Sequence, residues 1–150
     1  MSDFEIKIKL LTDIIIEKND LLTIALNITH NQKTLLNVPE GEMVQTREIF
    51  AQMTLEKKTV LDKILERDSI FNNVFENLQD FEEKAREHAD IVRELQNNIK
   101  QTTDLDMQVR LAEEENMSIL RKGVVSVAPS PLAKKNVLEK YKSNAKKPTI

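Results

Sequence analysis

Two histidines, one pair of closely spaced aspartates and one run of three glutamates are the side chains here whose types suit chemistry. His30 and His88 are the only histidines, and neither has a second histidine or an acidic residue at zinc-motif spacing. A zinc site needs three or four converging ligands, so both read as helix-surface residues. Asp104 and Asp106 in "DLDMQVRLAEEEN" have the alternation of a calcium loop but lack its turn glycine and third ligand position. They read as a solvated acidic face. Glu113, Glu114 and Glu115 could pair as carboxylates, yet acid–base catalysis requires a pocket that shifts a pKa, and a charge run on a thin helix is ordinarily solvated.

Other chemistries lack their residues. There is no cysteine, which excludes disulfides, thiolate nucleophiles and zinc–thiolate sites. The two glycines, Gly41 and Gly123, are far apart and neither precedes Lys-Ser/Thr, so no phosphate-cradling loop is formed. Asn27-Ile28-Thr29 and Asn116-Met117-Ser118 match glycosylation sequons, which carry meaning only in a secreted chain. The expectation is no enzyme, no metal and no cofactor.

The elements that carry these residues read as long helices. The 150 residues are 40% hydrophobic, 4% aromatic and 31% charged, a balance suited to exposed helices rather than a thick core, and long enough for one domain. Phe4, Ile8, Leu11, Ile15, Leu22 and Ala25, widened by Ile14, Leu21 and Ile28, predict a helix over about residues 4–36. "EIKIKL" alternates like a strand, which leaves the first turn open. Asn37 and "PEG" end this helix. A second helix is predicted from about 42 to 78, carrying Val44, Ile49, Phe50, Met53, Val60, Leu61, Ile64, Phe71, Val74, Phe75 and Leu78. At about 1.5 Å per residue it extends about 54 Å and needs an equally long neighbour. A third is predicted over about 81–121, with Ala85, Ala89, Val92, Leu95 and Ile99 on one face, then Leu105, Val109, Ala112, Ile119 and Leu120 out of phase with them. The change falls at "QTTDLD", residues 101–106, and predicts a register skip or a kink. Asn72, Asn73 and Asn77 offer a break between the second and third helices, though without Gly or Pro the two could be partly continuous.

The fold class expected is therefore all-α: an elongated antiparallel helical bundle or coiled coil of about three long helices, residues 1–122. Residues 123–150 are expected to form an extended linker through "VVSVAPSP" and a short amphipathic helix in "LAKKNVLEKYK", with Leu132, Val137, Leu138 and Tyr141 as its apolar contributors. From Pro129 onward, six lysines against Glu139 give +5, leaving −8 of the total −3 for the rest. An acidic body with a basic tail is the outline. A lysine tail can bind polyanions by counterion release, but this one lacks arginine and hangs on an acidic body, which argues against nucleic acid. With no apolar run beyond a few residues and no signal-like start, neither secretion by a cleaved signal nor membrane insertion is expected.

"EKKTVLDKILERDSIFNNVF", residues 56–75, is apolar over more than the roughly 100° stripe that a small bundle buries, through the pairs Val60/Leu61, Ile64/Leu65, Ile70/Phe71 and Val74/Phe75. Most of it is expected to be core, with some apolar surface left for a partner. The stretch resembles the central lysine-rich helix of FlgN-type flagellar export chaperones. In that pattern a lysine (Lys57 or Lys58) is followed by apolar pairs (Val60 and Leu61, Ile64 and Leu65), an aspartate (Asp68) and an aromatic (Phe71). "IVRELQNNIKQTTDLDMQVRLAEEEN" is similar to the family's later helix, with Leu95 and Ile99 before the interruption and Glu114 and Asn116 at its end. The resemblance covers about residues 10–122 in architecture and roughly 50 residues in pattern.

It implies a small cytoplasmic chaperone of flagellar type III secretion that holds hook–filament junction proteins. Such a chaperone binds the amphipathic C-terminal helix of its client in a groove and prevents early assembly. Carried onto this chain, the client-binding residues are Leu111, Ile119, Leu120, Val124, Val125, Leu132, Val137 and Leu138. Tyr141, the only tyrosine, is the candidate contact to the export-gate platform. The partners implied are those junction proteins and that platform, with no nucleic acid and no membrane insertion, the chain being a monomer or a swapped dimer. The other reading is a structural coiled-coil adaptor that packs residues 60–75 against a second copy.

Overall fold

The computed structural model describes residues 1–37 and 43–126, and among these the chain is all-helical. Four helices pack together: α1 (Asp3–Leu36), α2 (Met43–Glu76), α3 (Phe81–Glu87) and α4 (Ala89–Ser126). The first turn of α1 is helical from its start. Ser2 stands at the N-cap, the Glu5 N–H donates to its Oγ at 3.2 Å, and Asp3 and Glu5 place negative charge where the helix dipole favours it.

Helix α1 runs between α2 and α4 along most of its length. It is antiparallel to α2, since Lys18 meets Asp68 while Thr29 meets Lys57, and parallel to α4, since Asn19 meets Thr102 while Thr29 meets Glu113. One apolar cluster joins Phe4, Ile8, Leu11 and Ile15 of α1 to Val92 and Leu95 of α4, with Phe71 and Val74 of α2 packed against it. A second joins Leu22 and Leu26 to Ile64, Val109 and Ala112. Six apolar residues predicted as the α1 stripe (Phe4, Ile8, Leu11, Ile15, Leu22 and Ala25) are all buried.

The second and third predicted helices are separate. Asn77 and Leu78 fold back on Val74 and Phe75 carbonyls, and Asp80 adopts the left-handed conformation at φ 54°, ψ 42°, a region that Asp enters more readily than most non-glycine residues. This reversal lets Phe81 pack against Phe4 and Phe75, with ring centroids 6.1 and 5.9 Å apart. The third predicted helix is itself divided at His88, whose φ of −121° closes α3, while its carbonyl accepts from the Val92 N–H in the first turn of α4.

The expected register skip at residues 101–106 is absent, and α4 is one continuous helix from Ala89 to Ser126. Its inward positions are 92, 95, 99, 102, 106, 109, 113, 116 and 120, alternating steps of three and four without a skip. Thr102, half-buried Asp106, Glu113 and Asn116 occupy the seam, so a stripe traced through apolar residues alone changes phase there. The helix also continues through Gly123 to Ser126, past the expected change to an extended chain at 123. The short amphipathic helix expected beyond Pro131 lies outside the described residues.

Candidate functional site

On the wide apolar stretch of α2, only Ile64 among the eight apolar pair residues is buried. Val60, Leu61, Leu65, Ile70, Phe71 and Val74 are half-buried, and Phe75 is 46% exposed. The fully covered positions beside Ile64 are the charged residues Lys57 and Asp68. The bundle therefore grips α2 by a narrow, partly polar line and leaves apolar shoulders on both sides of it.

The client-binding residues expected on α4 do not form one face. Leu120 is in the core at 6% exposure, and Leu111 points outward at 58%. At about 100° per residue they stand on opposite sides of the helix, with half-buried Ile119 between them. Met107, one turn before Leu111, is exposed to the same 58%. Val124 and Val125 lie in the last turn of α4. Leu132, Val137, Leu138 and Tyr141 lie outside the described residues.

What the helices bring together instead are two buried polar layers that alternate with the apolar clusters. In the first, Lys18 Nζ of α1 donates to Asp68 Oδ1 of α2 at 2.7 Å, and Asn19 receives the Thr102 hydroxyl at 2.5 Å while donating to the Asn98 carbonyl at 3.1 Å. Burial raises the Asp68 pKa above 3.8; the hydrogen bond and charge of Lys18 oppose this and the nearby Asp106 adds to it. Asp68 Oδ2 is buried without a hydrogen-bond partner among the described residues.

The second layer joins all three long helices. Lys57 Nζ of α2 donates to Glu113 Oε1 of α4 at 2.5 Å, to Thr29 Oγ1 of α1 at 3.1 Å, and to Gln32 Oε1. The Thr29 hydroxyl donates to the same Glu113 oxygen at 2.7 Å, and Gln32 Nε2 reaches Thr54 Oγ1 at 2.9 Å. Asn116 Nδ2 donates to the Thr29 carbonyl at 2.8 Å. Burial lowers the Lys57 pKa from 10.5, and the attraction of Glu113 works against that. The amine and carboxylate thus satisfy one another in the core and fix the helices side by side. Glu113, read from sequence as part of a solvated acidic run, is one of the buried partners, and the Asn116 sequon is closed by the fold.

Lys18, Asn19, Thr29, Gln32, Thr102 and Asn116 escape a search for chemistry-bearing clusters because each stands alone among apolar neighbours in sequence. Their signal is positional. Lys18, Thr29 and Gln32 continue the α1 seam 4, 8, 11, 15, 18, 22, 25, 29, 32, and Thr102 and Asn116 fill gaps in that of α4. Lys57 and Asp68 are the two α2 residues buried in these layers, and of the two lysines weighed from sequence, Lys57 and Lys58, it is Lys57 that faces inward. Among the described residues no three His, Asp or Glu side chains are grouped to hold a metal ion, and no helix is long and apolar enough to cross a membrane. Comparisons with protein-family models, with curated proteins and with solved structures find no match to this chain.

Proposed function

We propose that this chain is a cytoplasmic export chaperone of the FlgN type, which covers the amphipathic C-terminal helix of hook–filament junction proteins until flagellar type III secretion takes them. The observation that supports it best is the exposed pair Met107 and Leu111 on α4, a long helix that carries them toward Val124 and Val125 in one rigid element. An apolar pair one turn apart on a fixed helix is a seat for one face of a second helix. A client tail left free would aggregate or assemble early, and covering its apolar face prevents both without hydrolysis. No catalytic step and no cofactor belong to this reading.

Leu120 does not serve as a client contact in this reading, because the core already holds it. The client seat is Leu111 with Met107 and half-buried Ile119, in line with Val125 and not with Val124 at helical pitch, extended by Leu132, Val137 and Leu138, and Tyr141 contacts the export-gate platform. Calorimetric titration of the full chain with a C-terminal peptide of a hook–filament junction protein tests this. Binding that weakens at least tenfold in Leu111→Ser and after truncation at Ser126 supports the proposal; no binding by the full chain overturns it.

The half-covered shoulders of α2, with Phe75 46% exposed, favour one other reading, a coiled-coil adaptor that self-associates through residues 60–75. Sedimentation of the full chain separates the two, because that reading requires a mass that rises with concentration.

A further inference from the structure

Glu17 Oε2 and Arg67 Nη1 lie 3.1 Å apart and bridge α1 to α2 on the flank turned away from α4. At about 100° per residue, Asn19, Thr29 and Lys33, whose side chains hydrogen-bond α4, stand roughly 120–200° around α1 from Glu17. In line with Glu17, within about 40°, are Leu21, Ile24, Ile28 and Leu35, and in line with Arg67, within about 20°, are Ile49 and Val60. None of the six is buried; Ile24 is 46% and Ile49 is 49% exposed. Together, among the described residues, they line the groove between two antiparallel helices. Among the described residues, exposed Asp20 and Glu56 stand along its rims with the cation Lys63, and Glu17 and Arg67 neutralise each other.

The chain supplies a segment of opposite charge. Beyond Ser126 it carries +5, from six lysines and Glu139. At helical pitch Val137, Leu138 and Tyr141 share a sector of about 100°, with Lys134 inside it and the other five lysines, Lys135, Lys140, Lys142, Lys146 and Lys147, outside it. Because α4 is parallel to α1, Ser126 ends at the same end of the bundle as Leu36, at the mouth of this groove. The five residues 127–131 reach at most about 17 Å, the distance around one helix of the bundle, and Pro129 and Pro131 favour extension. Residues 132–147 as a helix would cover about 24 Å, which matches the run from Leu35 back to Leu21 at about 21 Å.

We propose that residues 132–147 of this chain dock along the α1–α2 groove of their own bundle, with Val137, Leu138 and Tyr141 on its apolar floor and the lysines against Asp20 and Glu56. The contact does not depend on the client proposed above, and it places the tail in competition with any helix that uses Val137 and Leu138. Burial of the apolar face holds the segment, and the charges orient it.

The absence of native cysteine makes the test direct. Spin labels at Asn27→Cys and Ser143→Cys in the full chain report the groove, and labels at Gln108→Cys and Ser143→Cys report the outer face of α4. Docking gives one narrow distance for the first pair, shorter than for the second, broadening at about 1 M salt, where the Debye length is about 3 Å. Ile24→Asp, at an exposed position, broadens that distance while helicity stays unchanged. A broad distribution at every salt concentration, or a shorter distance to position 108, overturns the proposal. So does a signal lost on dilution with unlabelled chain, because the contact would then be with a second copy.

Discussion

Lys57 on α2 and Glu113 on α4 meet at 2.5 Å inside the bundle, and both also bond Thr29 of α1, so a single ion pair ties the three long helices at one level. Eleven residues along both α1 and α2, Lys18 and Asp68 form a second buried pair, at 2.7 Å. Eleven residues are about three helical turns, which returns each layer to the same face.

Removing one member of the first pair leaves a buried charge alone. Lys57→Met is expected to destabilise the chain by about 3–5 kcal/mol, and Lys57→Met combined with Glu113→Leu to recover most or all of that loss. Urea unfolding of the two single variants and the double variant forms the cycle. A double variant whose loss equals the sum of the two single losses would show that the pair has no partner-specific role.

The raised pKa of Asp68 sets a sign for the pH dependence. The folded chain holds this proton more tightly than the unfolded chain does, so the contribution of Asp68 is present below pH 3.8 and is lost as the pH rises through the folded pKa. Asp68→Asn lacks that component. The stability gap between wild type and variant should therefore narrow from pH 4 to pH 7 in urea titrations, and a widening gap would mean that pairing with Lys18 outweighs burial.

Opposite faces of α4 separate folding from binding. Leu120→Ala is expected to cost about 2–5 kcal/mol, because it opens a cavity in the core. Leu111→Ala should change stability by no more than about 0.5 kcal/mol, as exposed substitutions do. Thermal unfolding of both variants checks the contrast, and equal losses would contradict the outward position of Leu111.

Asp80 occupies a left-handed conformation at the α2–α3 turn and makes no side-chain capping bond. Asp80→Gly therefore removes strain without removing a contact and should stabilise the chain by up to about 1 kcal/mol. A loss of stability in the same unfolding measurement would point to a role for the carboxylate.

The long helices α1 and α2 were legible in the chain because apolar residues recur at seam spacing over more than thirty residues, and Asn37 stands where α1 stops; the split of the third predicted helix into α3 and α4 was not. The polar layers were not legible in the same way. Thr102 and Asn116 look like surface residues until the heptad is counted through them, and the gap they leave in the apolar stripe of α4 imitates a register skip. Likewise nothing local marks Asp80 or His88 as the break, since neither Gly nor Pro is there; packing of Phe81 and His88 around Phe4 selects that turn.

The sequence by itself determined an all-helical chain of long amphipathic elements, an acidic body and a lysine-rich end, because periodicity and charge are local properties. Only the tertiary structure decided that Lys57 pairs with Glu113 and Lys18 with Asp68, that Leu120 faces inward while Leu111 faces out, and that Glu17 and Arg67 bridge α1 to α2. Those outcomes depend on which helices become neighbours and in what register, and residues far apart in the chain settle that jointly.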